Sequence, residues 1–258
     1  MNTLALALRQ TKYELIAFRR NPAAVFFTFI FPLMFLVIFN VVFGDEDIES
    51  NGREIDTSTF YVPGIVGLSV ISACYTNLAM SIAYSRDRGL LKRIKGTPLP
   101  AIAFFAGKIL QATMVSVILV LLVVGVGVAL YGVDPPPSER IPAFFVALLV
   151  GAIAFCALGL AITAVIPNAD AAPAVVNASI LPLLFISNIF IPTANAPEWV
   201  NDLASVFPVA PFASALHRAF DPFGTGSGFS VKDVAVMAAW GVIGVAVAVR
   251  WFTWEPKR

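Results

Sequence analysis

The side chains that could do chemistry in this 258-residue chain are few and widely separated. There is one histidine, His217, and the two cysteines, Cys74 and Cys156, lie inside long apolar runs. A lone histidine forms neither a triad nor a metal site, and neither cysteine has a neighbour at metal-ligand spacing. The phosphate-binding sequence GxxxxGKS/T is absent, because Gly107 and Lys108 lack the required earlier glycine. The sequence therefore predicts a chain without catalytic residues, metal or cofactor of its own.

A basic segment, residues 85–100, is the stretch best suited to contact a partner. It carries five basic residues and one acid. Leu90, Leu91 and Ile94 have the spacing of an apolar stripe on a short helix, and Pro98 prevents the helix from restarting. Two interpretations stay open. The segment is either a loop that only sets membrane topology or a docking helix that a cytosolic partner moves.

Polar side chains are concentrated in two otherwise apolar stretches of the chain. Tyr75 and Asn77 belong to the first, and Asn177, Ser187 and Asn188 belong to the second. Lipid cannot hydrogen-bond to these groups, so they must face protein or water. Eleven residues make about three helical turns, which predicts that Asn177 and Asn188 lie on nearly the same side of one helix. They either join helices together or line a translocation path.

The composition excludes an ordinary soluble domain. The chain is 59% hydrophobic and 13% charged, with a mean hydropathy of +0.85, whereas soluble domains are about 25% charged. About 20 apolar residues suffice to cross a membrane. We therefore expect one all-α membrane domain over residues 1–258, with spans at 21–44, 57–85, 103–133, 141–169, 171–193 and 233–254.

Two further segments are expected to be helical without spanning. In residues 1–20, Leu4, Leu8 and Leu15 recur on one helical side, which predicts an interfacial helix on the membrane surface. Residues 197–220 contain a charge-free run that is too short to span and is interrupted by prolines. This run favours an outer re-entrant helical pair over an ordinary loop.

The distribution of charge predicts the orientation. With both termini inside, 13 of the 17 Lys and Arg residues lie in inner segments and 12 of the 16 acids lie outside. A multi-pass protein of the plasma or bacterial inner membrane with cytoplasmic termini is expected. The net charge of +1 gives no basic surplus for nucleic acid.

The basic segment resembles the coupling helix of ABC-2 type transporter permeases. That signature is Arg-x-x-Gly-x-Leu-x-Arg-hydrophobic, then Thr-Pro, then Gly-Lys at the next span. The matching residues are Arg86, Gly89, Leu91, Arg93, Ile94, Thr97, Pro98, Gly107 and Lys108. Asp87 stands where family members often carry Glu. Residues 181–192, 197–199 and 207–209 are similar to the end of the family's fifth span and the outer pair that follows it.

The resemblance implies a permease subunit of an ATP-driven exporter. Its partners would be ATP-binding-cassette subunits, which hold ATP and Mg²⁺, a second permease subunit and membrane lipid. The implied ATPase-coupling residues are Arg86, Asp87, Arg88, Gly89, Leu91, Lys92, Arg93 and Ile94. The implied path lies at the dimer seam, along the second and fifth spans. Amphipathic, lipid, drug and glycan substrates all stay open.

Two other functions stay open at this stage. The first is a self-contained secondary transporter or channel. Its usual ionisable groups at membrane depth are missing from the charge-free stretches that define the spans. The second is a membrane scaffold that transports nothing.

Overall fold

The computed structural model describes residues 2–44, 47–50, 53–192 and 196–255, and this part of the chain is almost entirely helical. The helices in chain order are α1 (Thr3–Arg19), α2 (Pro22–Phe43), α3 (Thr57–Ile71), α4 (Leu78–Asp87), α5 (Leu90–Lys95), α6 (Ala101–Tyr131), α7 (Ile141–Ile162), α8 (Ala172–Phe185), α9 (Glu198–Val206), α10 (Val209–Phe220) and α11 (Val231–Trp251). A small antiparallel hairpin of β1 (Asp47–Ser50) and β2 (Arg53–Asp56) is the addition to the expected all-α class. The prediction of an all-α membrane protein is otherwise confirmed.

Within the described ranges, five helical segments are long and apolar enough to cross a membrane. They are α2, the continuous stretch Thr57–Asp87, α6, α7 and α11. Helix α8 has only 14 residues, a rise of about 21 Å against the ~30 Å of a hydrocarbon core. It contains Pro182 and ends at Phe185, so residues 171–193 are not one continuous helix. The sixth span and all span boundaries stay predictions.

The stretch Thr57–Asp87 forms the centre of the protein. Its apolar window is 72% buried, against 17–50% for the windows of the other four segments. Between α3 and α4 it widens into a π-helical turn, Ser72–Asn77, which the sequence did not predict. Helix α7 approaches this turn at Gly159, where a Cβ atom would lie 2.9 Å from the Tyr75 carbonyl oxygen. Only glycine allows that approach, and π turns often mark functional sites.

Two short helices, α9 and α10, occupy the region where a re-entrant pair was expected. The buried Phe212 of α10 packs against Phe155 of α7, with ring centroids 5.3 Å apart. Helix α10 also contacts α3 and α11, and α1 runs along the beginning of α6. The helical pair exists, but its entry into the membrane, like the surface position of α1, stays a prediction.

Candidate functional site

Helix α5 is a six-residue helix with fixed ends. Gly89 adopts the left-handed conformation, with φ of 69°, and lets the chain turn sharply out of α4. At the other end the Gly96 N–H donates to the carbonyls of Lys92 and Arg93. The Thr97 hydroxyl donates to the Ile94 carbonyl at 2.7 Å. The expected short helix within residues 85–100 is therefore present, with both ends held by local bonds.

The apolar stripe of α5 faces the protein itself. Leu91 is completely buried, and the half-buried Ile94 packs against the same core. Of the three stripe residues only Leu90 is largely exposed. Leu91 and Ile94 therefore pack within this chain, and their predicted role in coupling to an ATPase stays a prediction. Burial of the apolar side chains stabilises α5 against the spans and turns its charged side outward.

The outward side of α5 and the preceding turn is basic. Arg88, Lys92, Arg93 and Lys95 are all exposed. Among the described residues, none of these four cations has an ion-pair partner. Such a surface offers charge-assisted hydrogen bonds to carboxylates.

Arg86 and Asp87 face inward and join α4 to the connection between α7 and α8. The Arg86 guanidinium is completely buried and donates to the carbonyls of Thr163, at 2.9 Å, and Ile166, at 2.5 Å. Thr163 is the C-cap of α7, where a cation is favoured by the helix dipole, and Ile166 follows it in the connection to α8. Asp87 accepts a hydrogen bond from the Ala169 N–H. Arg86 therefore bonds within this chain, and its predicted part in ATPase coupling stays a prediction.

A buried ion pair ties α1 to α4 and α6. Lys108 Nζ donates to Glu14 Oε2 at 2.7 Å and to Ser81 Oγ at 3.0 Å, and the Lys108 side chain is only 4% exposed. The adjacent Gly107 lets α1 come close, because a Cβ there would lie 2.6 Å from Gln10 Cγ. Sequence reasoning missed Glu14. Glu14 could have been noticed because it is the single acidic residue among the first 20.

The predicted path residues of the second span lie in or next to the π turn. The Tyr75 hydroxyl lies 2.6 Å from Ser179 Oγ of α8, so the polar groups of the two stretches meet. Asn77 points elsewhere, and its Nδ2 donates to Thr28 Oγ1 of α2 at 3.4 Å. Tyr75 and Asn77 therefore do not form one polar surface.

The predicted path residues of the fifth span do not share a helical side. Asn177 lies on α8 and is exposed, whereas Ser187 and Asn188 come after the helix has ended. Ser187 is buried and donates to the Leu184 carbonyl at 3.1 Å. Asn188 adopts φ of 63°, a left-handed conformation. The expectation of one polar stripe across Asn177 and Asn188 is wrong, because α8 ends at Phe185, three residues before Asn188.

An apolar cavity of about 690 Å³ lies beside the Tyr75–Ser179 contact. It is an open cavity lined by α7, α8, α11 and the turn between α9 and α10, and its wall includes Trp240 and Trp251. The Trp240 indole N–H donates to the Val206 carbonyl at 2.7 Å. This volume lies in the ~300–1,000 Å³ range of ligand pockets.

The end of the molecule opposite α5 holds a second polar cluster. His217 Nε2 lies 3.0 Å from the Asn188 carbonyl, and burial lowers the pKa of His217 to about 4. Its ring is therefore neutral at pH 7, when Nε2–H donates this bond. Arg218 pairs with Asp233 at the start of α11. Arg140 donates to the carbonyls of residues 218, 221, 224 and 226 and so fixes the connection from α10 to α11.

Three curated relatives illustrate what this chain is similar to. It is 22% identical over 186 residues to the probable multidrug ABC transporter permease YbhR of Escherichia coli (strain K12), covering 72% of this chain and 47% of that protein. It is 24% identical over 204 residues to the daunorubicin resistance ABC transporter permease protein DrrB1 of Streptomyces coeruleorubidus, covering 78% and 70%. It is 23% identical over 195 residues to the putative transport permease ycf38 of Cyanophora paradoxa, covering 75% and 67%.

The match to YbhR spans about half the length of that relative. The model of the ABC-2 type transporter family matches residues 7–220, from α1 to the end of α10. The match therefore covers α5, the ion pair of Lys108 and every wall of the apolar cavity except α11. The apolar helices and this match agree with the resemblance carried by residues 86–108. The chain belongs to the ABC-2 type transporter family and is a multi-pass membrane protein.

Proposed function

We propose that this chain is the membrane subunit of an ATP-driven exporter and that the basic side of α5 docks on a separate ATP-binding-cassette subunit. The observation that carries the proposal is the split of α5 into a buried and an exposed side. Leu91 holds the helix against the spans, while Lys92 and Arg93 remain free for a partner's carboxylates. ATP and Mg²⁺ bind in the partner. Movement of the partner then shifts the helices of this chain and so drives transport.

The contacts of α4 support a route for that movement. Arg86 and Asp87 bond to the connection 163–171, which joins α7 to α8. A displacement of α5 therefore pulls the adjacent ends of three helices together. The ion pair of Lys108 with Glu14 extends the same rigid group to α1.

Charge reversal at the exposed side tests the docking. Lys92→Glu with Arg93→Glu should abolish co-purification with the cognate ATPase, or uncouple its ATP hydrolysis from transport, while the permease still inserts. Arg250→Glu is the matched control, because Arg250 is an exposed cation on α11 outside the proposed surface. Unchanged coupling in the double variant would reduce the segment to a topology signal. Transport without any ATPase would instead support a secondary transporter or channel.

The substrate proposed for this exporter is an amphipathic, lipid-, drug- or glycan-like molecule that leaves the cell. The apolar cavity with the Tyr75–Ser179 pair on its wall supports an amphipathic molecule. The multidrug and daunorubicin-resistance names of two relatives agree with a drug-like one. Asn177, exposed on α8, supports a seam with a second permease subunit, homomeric or heteromeric.

Asn177 provides the sharpest test of the path, which we propose to include Tyr75, Asn77, Asn177, Ser187 and Asn188. Asn177→Leu should change transport rate or substrate range with the assembled dimer intact. Ala178→Leu, at the exposed neighbouring position, is the control for added bulk. Loss of dimer with normal transport per complex would make Asn177 a helix contact instead. Asn188→Leu is less informative, because leucine is strained at φ of 63°.

The orientation proposed here places both termini and α5 in the cytoplasm of a bacterial cell. Single-cysteine labelling from outside should modify Ser50→Cys in the hairpin and leave Lys92→Cys unmodified. Both native cysteines, Cys74 and Cys156, are buried and should give little background. The opposite labelling pattern would overturn both the orientation and the docking proposal.

A further inference from the structure

A groove between α1 and α6 is unused by the proposed transport function. Its volume is about 390 Å³, and its wall is mostly apolar, with Leu8 and Leu15 on one side and Leu110 and Met114 on the other. Lys12 also lines it. The groove is therefore formed by α1 and by one turn of α6.

The charge at this groove is uniformly positive. Lys12 and Arg19 both line it and both are exposed. They are seven positions apart, about two helical turns, so both project from the same side of α1. Among the described residues, neither has an ion-pair partner.

The single acid of the N-terminal segment does not neutralise them. Glu14 is turned inward, where it accepts hydrogen bonds from Lys108 and from Gln10 Nε2, at 2.9 Å. The groove therefore combines an apolar wall with two uncompensated cations at its edge. That combination complements an acyl chain attached to an anionic headgroup.

We propose that this groove binds one anionic phospholipid of the leaflet in contact with α1, with an acyl chain against Leu110 and Met114 and the phosphate at Lys12 and Arg19. A basic residue near an anionic membrane surface contributes about 1 kcal/mol. The bound lipid fills the gap between α1 and α6 and so fixes the position of α1. This lipid site requires only that the protein lies in a membrane. It does not depend on whether the transporter exports or imports its substrate.

The test uses the full-length permease in detergent, titrated with mixed micelles of phosphatidylglycerol or phosphatidylcholine and read by native mass spectrometry. The wild type should retain one phosphatidylglycerol in preference to phosphatidylcholine. Lys12→Gln with Arg19→Gln should weaken phosphatidylglycerol binding on the order of tenfold or more. Met114→Trp, which fills the groove and keeps every charge, should also remove the bound lipid. Circular dichroism shows whether each variant is folded.

Arg9→Gln is the matched control. Arg9 is another cation of α1, lies over the Tyr13 ring and does not line the groove. It should leave lipid retention unchanged. An equal loss in Arg9→Gln, or full retention in Met114→Trp, would mean that α1 attracts anionic lipid by diffuse charge, and would overturn the site. Equal retention of phosphatidylcholine would overturn the headgroup assignment. A change in dimer mass without loss of lipid would assign the groove to a second subunit.

Discussion

Two buried arginines bind backbone carbonyls at opposite ends of α7. Arg86 holds helices together in the interior, whereas Arg140 holds a partly exposed loop. Arg86 is 0% exposed and bonds to two carbonyls at the C-terminal end of α7. Arg140, 5% exposed, directly precedes α7 and bonds to four carbonyls at the end of α10 and beyond. Both cations complement a helix C-terminus.

The difference lies in what each arginine holds together. Arg86 joins α4, which leads into α5, to the C-terminal end of α7 and the connection that follows it, and its carbonyl partners lie in the interior. Arg140 holds a connection whose glycines and Thr225 are partly or fully exposed, so water can replace its bonds. More hydrogen bonds therefore do not mean more stability. The exposure of the acceptors decides how much each arginine contributes.

The largest expected effect follows from removing Arg86. Arg86→Ala leaves two interior carbonyls unpaired and should lower the free energy of unfolding by roughly 3–5 kcal/mol. Arg140→Ala should cost about 1–2 kcal/mol, because water reaches its partners. Arg88→Ala, at the exposed neighbouring position, should stay within about 0.5 kcal/mol. Thermal unfolding in detergent measures all three, and an Arg140→Ala loss equal to that of Arg86→Ala would contradict the comparison.

The next effect concerns the ion pair that joins α1 to the same end of the protein. Glu14→Gln leaves the buried Lys108 cation without its counter-charge and should cost roughly 2–3 kcal/mol. Lys108→Met alone should cost a similar amount, but the two changes together should cost less than their sum. A double-mutant cycle measures this coupling. Simple additivity would show that Glu14 and Lys108 do not interact in solution.

A smaller effect is expected in the pH dependence of stability, through His217 of α10. The pKa of His217 is about 4 in the folded chain and about 6.5 when unfolded. Between these values the unfolded state binds more protons, so stability is complete above pH 6.5 and is lost as the pH falls towards 4. The loss should reach roughly 1–2 kcal/mol for this half-buried ring. The difference between wild type and His217→Gln isolates it, and parallel pH profiles of the two proteins would argue against a buried neutral imidazole.

The smallest effect is expected at the contact between the two polar stretches. Tyr75→Phe removes the hydrogen bond to Ser179 with little change in shape. Hydrogen bonds between membrane helices contribute about 0.6 kcal/mol on average. Ser179→Ala should lose at least as much in thermal unfolding, because it also removes the bond from Ser179 Oγ to the Val176 carbonyl. If Tyr75 contacts substrate, Tyr75→Phe should change transport more than stability, whereas a change in stability alone would limit the pair to holding α8 in place.

The sequence by itself determined the class of the protein. Apolar runs and an uneven distribution of Lys and Arg depend on local composition, and they predicted a multi-pass helical protein without catalytic residues. The order of Arg86, Gly89 and Leu91 before Thr97 and Pro98 pointed to the ABC-2 type family, which the family match confirms. The sequence also predicted a short helix that ends before Pro98, and α5 ends at Lys95.

Only the tertiary structure decided which side of each element is used. Periodicity groups Leu90, Leu91 and Ile94 on one stripe, but it cannot distinguish a stripe buried in its own protein from one offered to a partner. The inward direction of Arg86 and Glu14 depends on α7 and on Lys108, which are distant in sequence. The end of α8 before Asn188 and the π turn at Tyr75 likewise arise from packing against neighbouring helices. Contacts between distant segments leave no pattern in the local sequence. These contacts determine where the charged side chains of this protein lie.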